Sequence, residues 1–222
     1  MRIVCLANSR KLSGRCIAGR IWSKSSIGGW VRPVSERHER EVSEYERQYA
    51  DGSDPKLLDI IEIQMLRAQP EGYQTENWLL DSEYYWEKKG TFKRSKLQDL
   101  VEPVSPLWID NHSTYNGKND CIPLNEVGAL TESLRFVSVS EMQLRVFAPG
   151  TAFGNSKRRV QGRFRHADSS YALWITDPIQ ERKWLAHPDG VYSLGECYLT
   201  ISLGEPYEGR VYKLIAAVIE QR

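Results

Sequence analysis

Nearly every apolar stretch in this chain is short, alternates with polar residues in steps of two, and stops at a cluster of Gly, Pro, Asn or Asp. That is the pattern of half-buried strands closed by turns. It predicts strands over residues 2–7, 15–22, 30–34, 57–66, 134–139, 142–147, 160–166, 171–176, 197–202 and 212–219. A chain with so many short strands must dispose of its sheet edges, and small closed barrels do so most completely. The expected class is therefore all-β or β-rich. Helix is expected over residues 37–49, where Glu and Arg recur at helical spacing with few apolar residues, as a solvated helix or ordered excursion.

With 222 residues, 41% of them hydrophobic, the chain can bury either one core or two small ones. NEVGALTES, residues 125–133, interrupts the pattern before a fresh strand series begins at Leu134. Two tandem barrels follow, over residues 1–130 and 131–222. Residues 70–125 hold Trp78, Trp86 and Trp108 with little periodicity and read as a helical or irregular insertion on the first barrel.

Charge is segregated, although the net charge is only +1. Before Glu36 the chain carries Arg2, Arg10, Lys11, Arg15, Arg20, Lys24 and Arg32 and no acid, with Trp22 and Trp30 among them. Lys157, Arg158, Arg159, Arg163 and Arg165 form a second cluster beside Phe164, Tyr171 and Trp174. Glu71, Glu76, Asp81, Glu83 and Glu87 supply part of the balance elsewhere. Cations hold phosphates and rings stack on bases, so the expected partner is nucleic acid, single-stranded or distorted rather than regular duplex. A partner protein is the competing expectation.

The polar N-terminus argues against a secretory signal, and no run approaches the about 20 apolar residues of a membrane span, so a soluble cytoplasmic protein with no membrane partner is expected. Cys5, Cys16, Cys121 and Cys197 form no C-x-x-C pair and read as reduced, partly buried thiols. His38, His112, His166 and His187 share no ligand-like spacing. No G-x-x-x-x-G-K-[ST] string occurs. Asp59, Glu62 and Gln64 make a poor match to the acidic strand of metal-dependent nucleases, because no lysine follows the second acid and alternation puts the two carboxylates on opposite faces. No catalytic residue, metal or cofactor is expected, and nuclease activity is a minor alternative.

The segments Leu6-Ala7-Asn8-Ser9-Arg10-Lys11, Gly14 to Gly19 and Gly29-Trp30-Val31-Arg32-Pro33-Val34-Ser35 resemble the opening of the dual OB-containing domain family. Tyr73 to Asn77, Tyr171 to Pro178, Leu199 to Pro206 and Tyr212 to Ala217 extend the similarity over most of the chain. The resemblance implies two OB-type barrels, a bacterial source, a nucleic-acid-binding role and no catalytic residues. An adaptor in a bacterial defence or stress system is the alternative.

Particular residues carry the binding expectation. Ser9 to Arg15 read as a polar turn whose amides and cations Arg10, Lys11 and Arg15 converge on one phosphate, or as a plain β-turn facing water. Arg20 and Trp22 share a strand face. Arg32 contacts a phosphate or makes a structural salt bridge or ring stack, and Trp30 is either a core anchor or a stacking platform. Arg159, Gln161, Arg163 and Arg165 align on one strand face at about 6.6 Å per two residues, near the phosphate spacing of an extended strand, with Val160, Gly162 and Phe164 opposite. Arg158 completes this second patch, and Trp22, Trp30, Phe164 and Tyr171 are the stacking candidates. Edge protection by the cations is the alternative. Thr176-Asp177-Pro178 reads as a turn.

Overall fold

The computed structural model describes residues 1–24 and 26–221. The chain divides into two compact units: Met1–Leu100 with Thr131–Ser133, and Val101–Leu130 with Leu134–Arg222. Residues 101–130, expected with the first barrel, thus pack with the second.

The first unit contains β1 (Arg2–Lys11), β2 (Gly14–Trp22), β3 (Ile27–Val34), α1 (Glu44–Arg47), β4 (Asp59–Glu62), β5 (Met65–Ala68), β6 (Asn77–Leu80) and β7 (Glu87–Thr91). The sheet runs β5-β6-β3-β2-β1-β4-β7. Only Ile63 and Gln64 separate β4 from β5. Ile63 N–H bonds Met1 O while Gln64 O accepts from Asp81 N–H, so one extended segment carries pairing from the β1 edge to the β6 edge and curls the sheet. Ile3, Cys5, Ile17, Val31 and Ile61 fill the concave side together with Trp86. The expected helix over residues 37–49 shrinks to α1, started by a reciprocal Ser43–Glu46 capping box. Its last residue, Arg47, is buried and pairs with Asp54 at 3.0 Å.

The second unit contains β8 (Cys121–Pro123), β9 (Leu134–Phe147), β10 (Arg159–His166), β11 (Ser169–Ile175), α2 (Pro178–Leu185), β12 (Gly190–Leu203) and β13 (Arg210–Glu220). The order β11-β10-β9-β12-β13 returns on itself through a parallel β11–β13 pairing, Trp174 opposite Leu214 and Ile175 opposite Ile215. Five strands thereby close into a Greek-key barrel of OB type, with α2 between the third and fourth. The interior is apolar, built from Val137, Leu144, Val160, Leu173, Leu199 and Ile215. Gly162 leaves room inside it for the ends of two side chains: a Cβ there would lie 2.4 Å from Ile215 Cδ1 and 2.5 Å from Met142 Cε, which would have to shift.

The stretches 134–139 and 142–147 are one strand. The break in alternation at Ser140-Glu141 is an irregularity in pairing with β12, where Met142 faces Gly195 and Val139 faces Cys197. The Thr176-Asp177-Pro178 string is a helix start. Asp177 accepts from the N–H groups of Ile179 and Gln180 at 3.0 and 3.1 Å, and Pro178 occupies the first helical position. Its other oxygen accepts from Val218 N–H at 3.4 Å, tying the helix start to β13. Asp177→Ala should therefore cost about 1–2 kcal/mol, read as a lower urea midpoint with an unchanged m-value.

Candidate functional site

Pairing on the outer face of the second barrel sets out a grid. Phe147 on β9 lies opposite Arg159 on β10, Arg145 opposite Gln161 and Gln143 opposite Arg163. On the far side of β10, Gln161 faces Trp174, Arg163 faces Ala172 and Arg165 faces Ser170. The expected alternation holds for Val160 and Phe164, buried at 1% and 5% exposure, and for the exposed Arg165, while Gln161 in the outward row is itself fully buried.

At one end of the grid cations and rings interleave. Arg145 lies 3.8 Å from the Phe147 ring centre and Arg159 lies 4.2 Å from Trp174. Phe147 and Trp174 stack on each other at 5.7 Å. These contacts fix two flexible guanidinium groups against apolar surface and leave them charged.

The other end opens into a groove of about 620 Å³ lined by Lys118, Gln143, Arg145, Arg163, Arg165 and Glu141, among others. Arg163 Nε donates to the neutral Gln161 Oε1 at 3.2 Å. Burial, and then the neighbouring Arg145 charge, pull the Arg163 guanidinium below its ordinary pKa. Among the described residues no ion pair involves Lys118, Arg145, Arg163 or Arg165. Glu141 is the one carboxylate in the lining, so positive charge dominates the groove. A smaller groove shares Ser140 and Arg165 with it and continues past Ser138 and His166.

One wall of the main groove precedes the barrel in sequence. Lys118 and Ala172 exchange backbone hydrogen bonds of 3.2 and 3.0 Å, where β11 has no strand partner on that side. Gln161 Nε2 donates to Asn116 O at 2.6 Å and Asn119 Nδ2 to Ser170 O at 3.1 Å. Deeper in, Lys213 Nζ, fully buried, donates to Asp110 Oδ1 at 2.8 Å and Ile109 O at 2.7 Å. Tyr171 OH donates to Asp110 Oδ2 at 2.7 Å. Burial raises the Asp110 pKa, but hydrogen bonds from Lys213, Ser169 and Tyr171 outweigh it and hold the carboxyl below its ordinary range.

Four sequence-predicted site residues are structural. Phe164 and Tyr171 stack on each other at 5.3 Å in the core, since alternation points both inward, and are only 5% and 2% exposed. Arg158 pairs with Asp189 at 2.6 Å and donates to Leu185 O and His187 O, neutralising the C-terminal end of α2. Arg32, at 5% exposure, pairs with Glu76 at 3.0 Å and donates to Ser133 Oγ at 2.7 Å; of its two expected roles the structural salt bridge is the one formed.

The N-terminal residues form a different surface. Arg10 and Arg15 are cross-strand neighbours, and Lys11 pairs with Gly14 around a Leu12-Ser13 turn. An anion already sits at that turn: Glu41, only 4% exposed, pairs with Arg37 at 2.9 Å and accepts from Ser13 Oγ at 3.3 Å. That carboxylate, itself paired with Arg37, offsets part of the positive charge at the turn. Arg20 faces Trp30 across β2 and β3, with its guanidinium 5.8 Å from the ring centre and its Nε donating to Gly28 O at 2.7 Å. Trp22 and Trp30 are both half-buried.

The acidic strand has structural partners. Asp59 accepts from Tyr49 OH at 2.9 Å and Lys56 N–H at 3.0 Å and pairs with Lys88 at 2.6 Å, while Glu62 is shared by Arg2 and Lys89. Among the described residues no cluster of His, Cys, Asp and Glu is arranged to hold a metal ion. Nor is any helix among them long and apolar enough to cross a membrane.

Residues 1–218 match the family described as Dual OB-containing domain. No curated protein and no solved structure matches the chain.

Proposed function

The chain belongs to the dual OB-containing domain family, and from that premise we propose that it binds nucleic acid along the outer face of β9, β10 and β11. OB barrels as a class bind oligonucleotides and oligosaccharides; the charge of the groove selects between them. Its carrying observation is that Lys118, Arg145, Arg163 and Arg165 converge on one groove whose lining holds a single carboxylate. Arg145 sits close enough to Arg163 to disfavour the charge on Arg163, and a bound phosphate offsets that repulsion. Sugars need paired neutral donors and acceptors and gain little from adjacent guanidinium groups.

Binding here is phosphate contact by Arg163, Arg165, Lys118 and Arg145, with Arg159 and Trp174 extending the track. Arg10, Lys11, Arg15, Arg20, Trp22 and Trp30 form an auxiliary surface of the first unit. No reaction is assigned to either surface. The test is fluorescence polarisation with single- and double-stranded DNA and RNA and with a neutral oligosaccharide. Nucleic acid should bind and the oligosaccharide should not; the reverse order would remove the proposal.

A further inference from the structure

We propose that Tyr115 is the ring on which an unpaired base stacks when a single strand crosses the β9–β11 groove, an assignment that rests on the nucleic-acid reading of that groove. Tyr115 stands in the groove lining with Arg163 and Arg165, yet 89% of it is exposed. The loop that carries it belongs to none of the connections between barrel strands and is held rigidly. Thr114 donates to Asp120 through its N–H at 2.7 Å and its Oγ1 at 2.5 Å. Asn119 Oδ1 accepts from Asn111 N–H at 2.7 Å. Gly117 lets the loop close, because a Cβ there would lie 1.8 Å from Asp120 Oδ2. The Lys118–Ala172 bridge and the Gln161–Asn116 bond fasten the loop to β11 and β10.

A large ring is thus presented to water on a fixed backbone beside cations. Its backbone need not be ordered when a ligand arrives, which lowers the cost of stacking. Every base has a π-face, so such contact tolerates any sequence. A base inside a duplex already has both faces covered by its neighbours, so the ring distinguishes unpaired from paired strands. Phosphate contacts to Arg163 and Arg165 do not make that distinction.

The test compares labelled single strands and duplexes of about 12 nucleotides with the wild-type chain, Tyr115→Ala, Tyr115→Phe and the double variant Arg163→Glu, Arg165→Glu. Tyr115→Ala should weaken single-strand binding by about 5- to 100-fold while leaving duplex affinity and the salt slope unchanged, and Tyr115→Phe should bind like wild type. Single-strand affinity unmoved by Tyr115→Ala but lowered by the double variant would overturn the role of Tyr115 and leave the groove reading standing. Equal losses in Tyr115→Ala and Tyr115→Phe would assign the effect to the hydroxyl and overturn the stacking role. A wild-type chain that binds neither strand form overturns both.

Discussion

Reversing Arg163 and Arg165 to Glu together should weaken binding of a single strand on the order of a hundredfold and flatten its salt dependence by about 1.4 units of log–log slope. Both side chains lie on the solvent face of β10, two residues apart, while the intervening Phe164 packs inward. The barrel interior is therefore untouched. A carboxylate at position 163 would sit beside Arg145 rather than against a like charge, but it would give up the hydrogen bond to Gln161. Melting temperature should fall only slightly, by the loss of the Arg163–Gln161 hydrogen bond, while affinity falls far more. Calorimetry and polarisation on the same sample separate loss of the site from loss of the fold; unchanged affinity would take these two arginines out of the interface.

Lys213→Met should destabilise the chain by about 3–5 kcal/mol at neutral pH. The substitution keeps the apolar stem but leaves the Asp110 carboxylate and the Ile109 carbonyl without the ammonium that serves both at 2.8 and 2.7 Å. The pH dependence has a defined sign. The folded pKa of Asp110 lies below its unfolded value, so its contribution is complete above the unfolded pKa of about 3.9 and disappears as pH falls through the folded one. Once Asp110 is protonated the Lys213→Met variant holds no unpaired carboxylate at this site, whereas the wild type loses the partner of its buried Lys213, so the gap between them should narrow below about pH 4. Urea titrations across that range check it. A gap independent of pH would show that Lys213 acts through packing alone, and Asp110→Asn with Lys213→Met should recover most of the loss.

Alternation made β1, β2, β10, β11 and β13 legible, because a half-buried strand writes its two faces into every second residue. The same rule placed Arg163 and Arg165 outward and Val160 inward. It also pointed Phe164 inward, so treating that ring as a stacking platform went against the chain's own pattern. Arg32 and Arg158 show what periodicity cannot supply: their partners Glu76 and Asp189 lie 44 and 31 residues away, and only the fold brings those charges together. Helix α2 was written in Asp177-Pro178, an N-cap followed by proline at the first position, but the same dipeptide also starts turns. Arg145 was accessible from its alternation with Gln143 and Phe147 along β9. Lys118 and Tyr115 were not, because residues 105–120 follow no period and take their shape from Asp120, Asn119 and the β11 backbone. Residues 101–130 join the second unit for a related reason: Lys213 and Tyr171 anchor them through Asp110 and Leu107.

The central claim is that an electropositive groove on β9, β10 and β11 holds a polyanion, and the slope of log affinity against log salt for a single-stranded oligonucleotide tests it most directly. Four groove cations at about 0.7 released counterions each place the wild-type slope near about −3. Binding that is absent, or that persists unchanged as salt rises, would contradict the account.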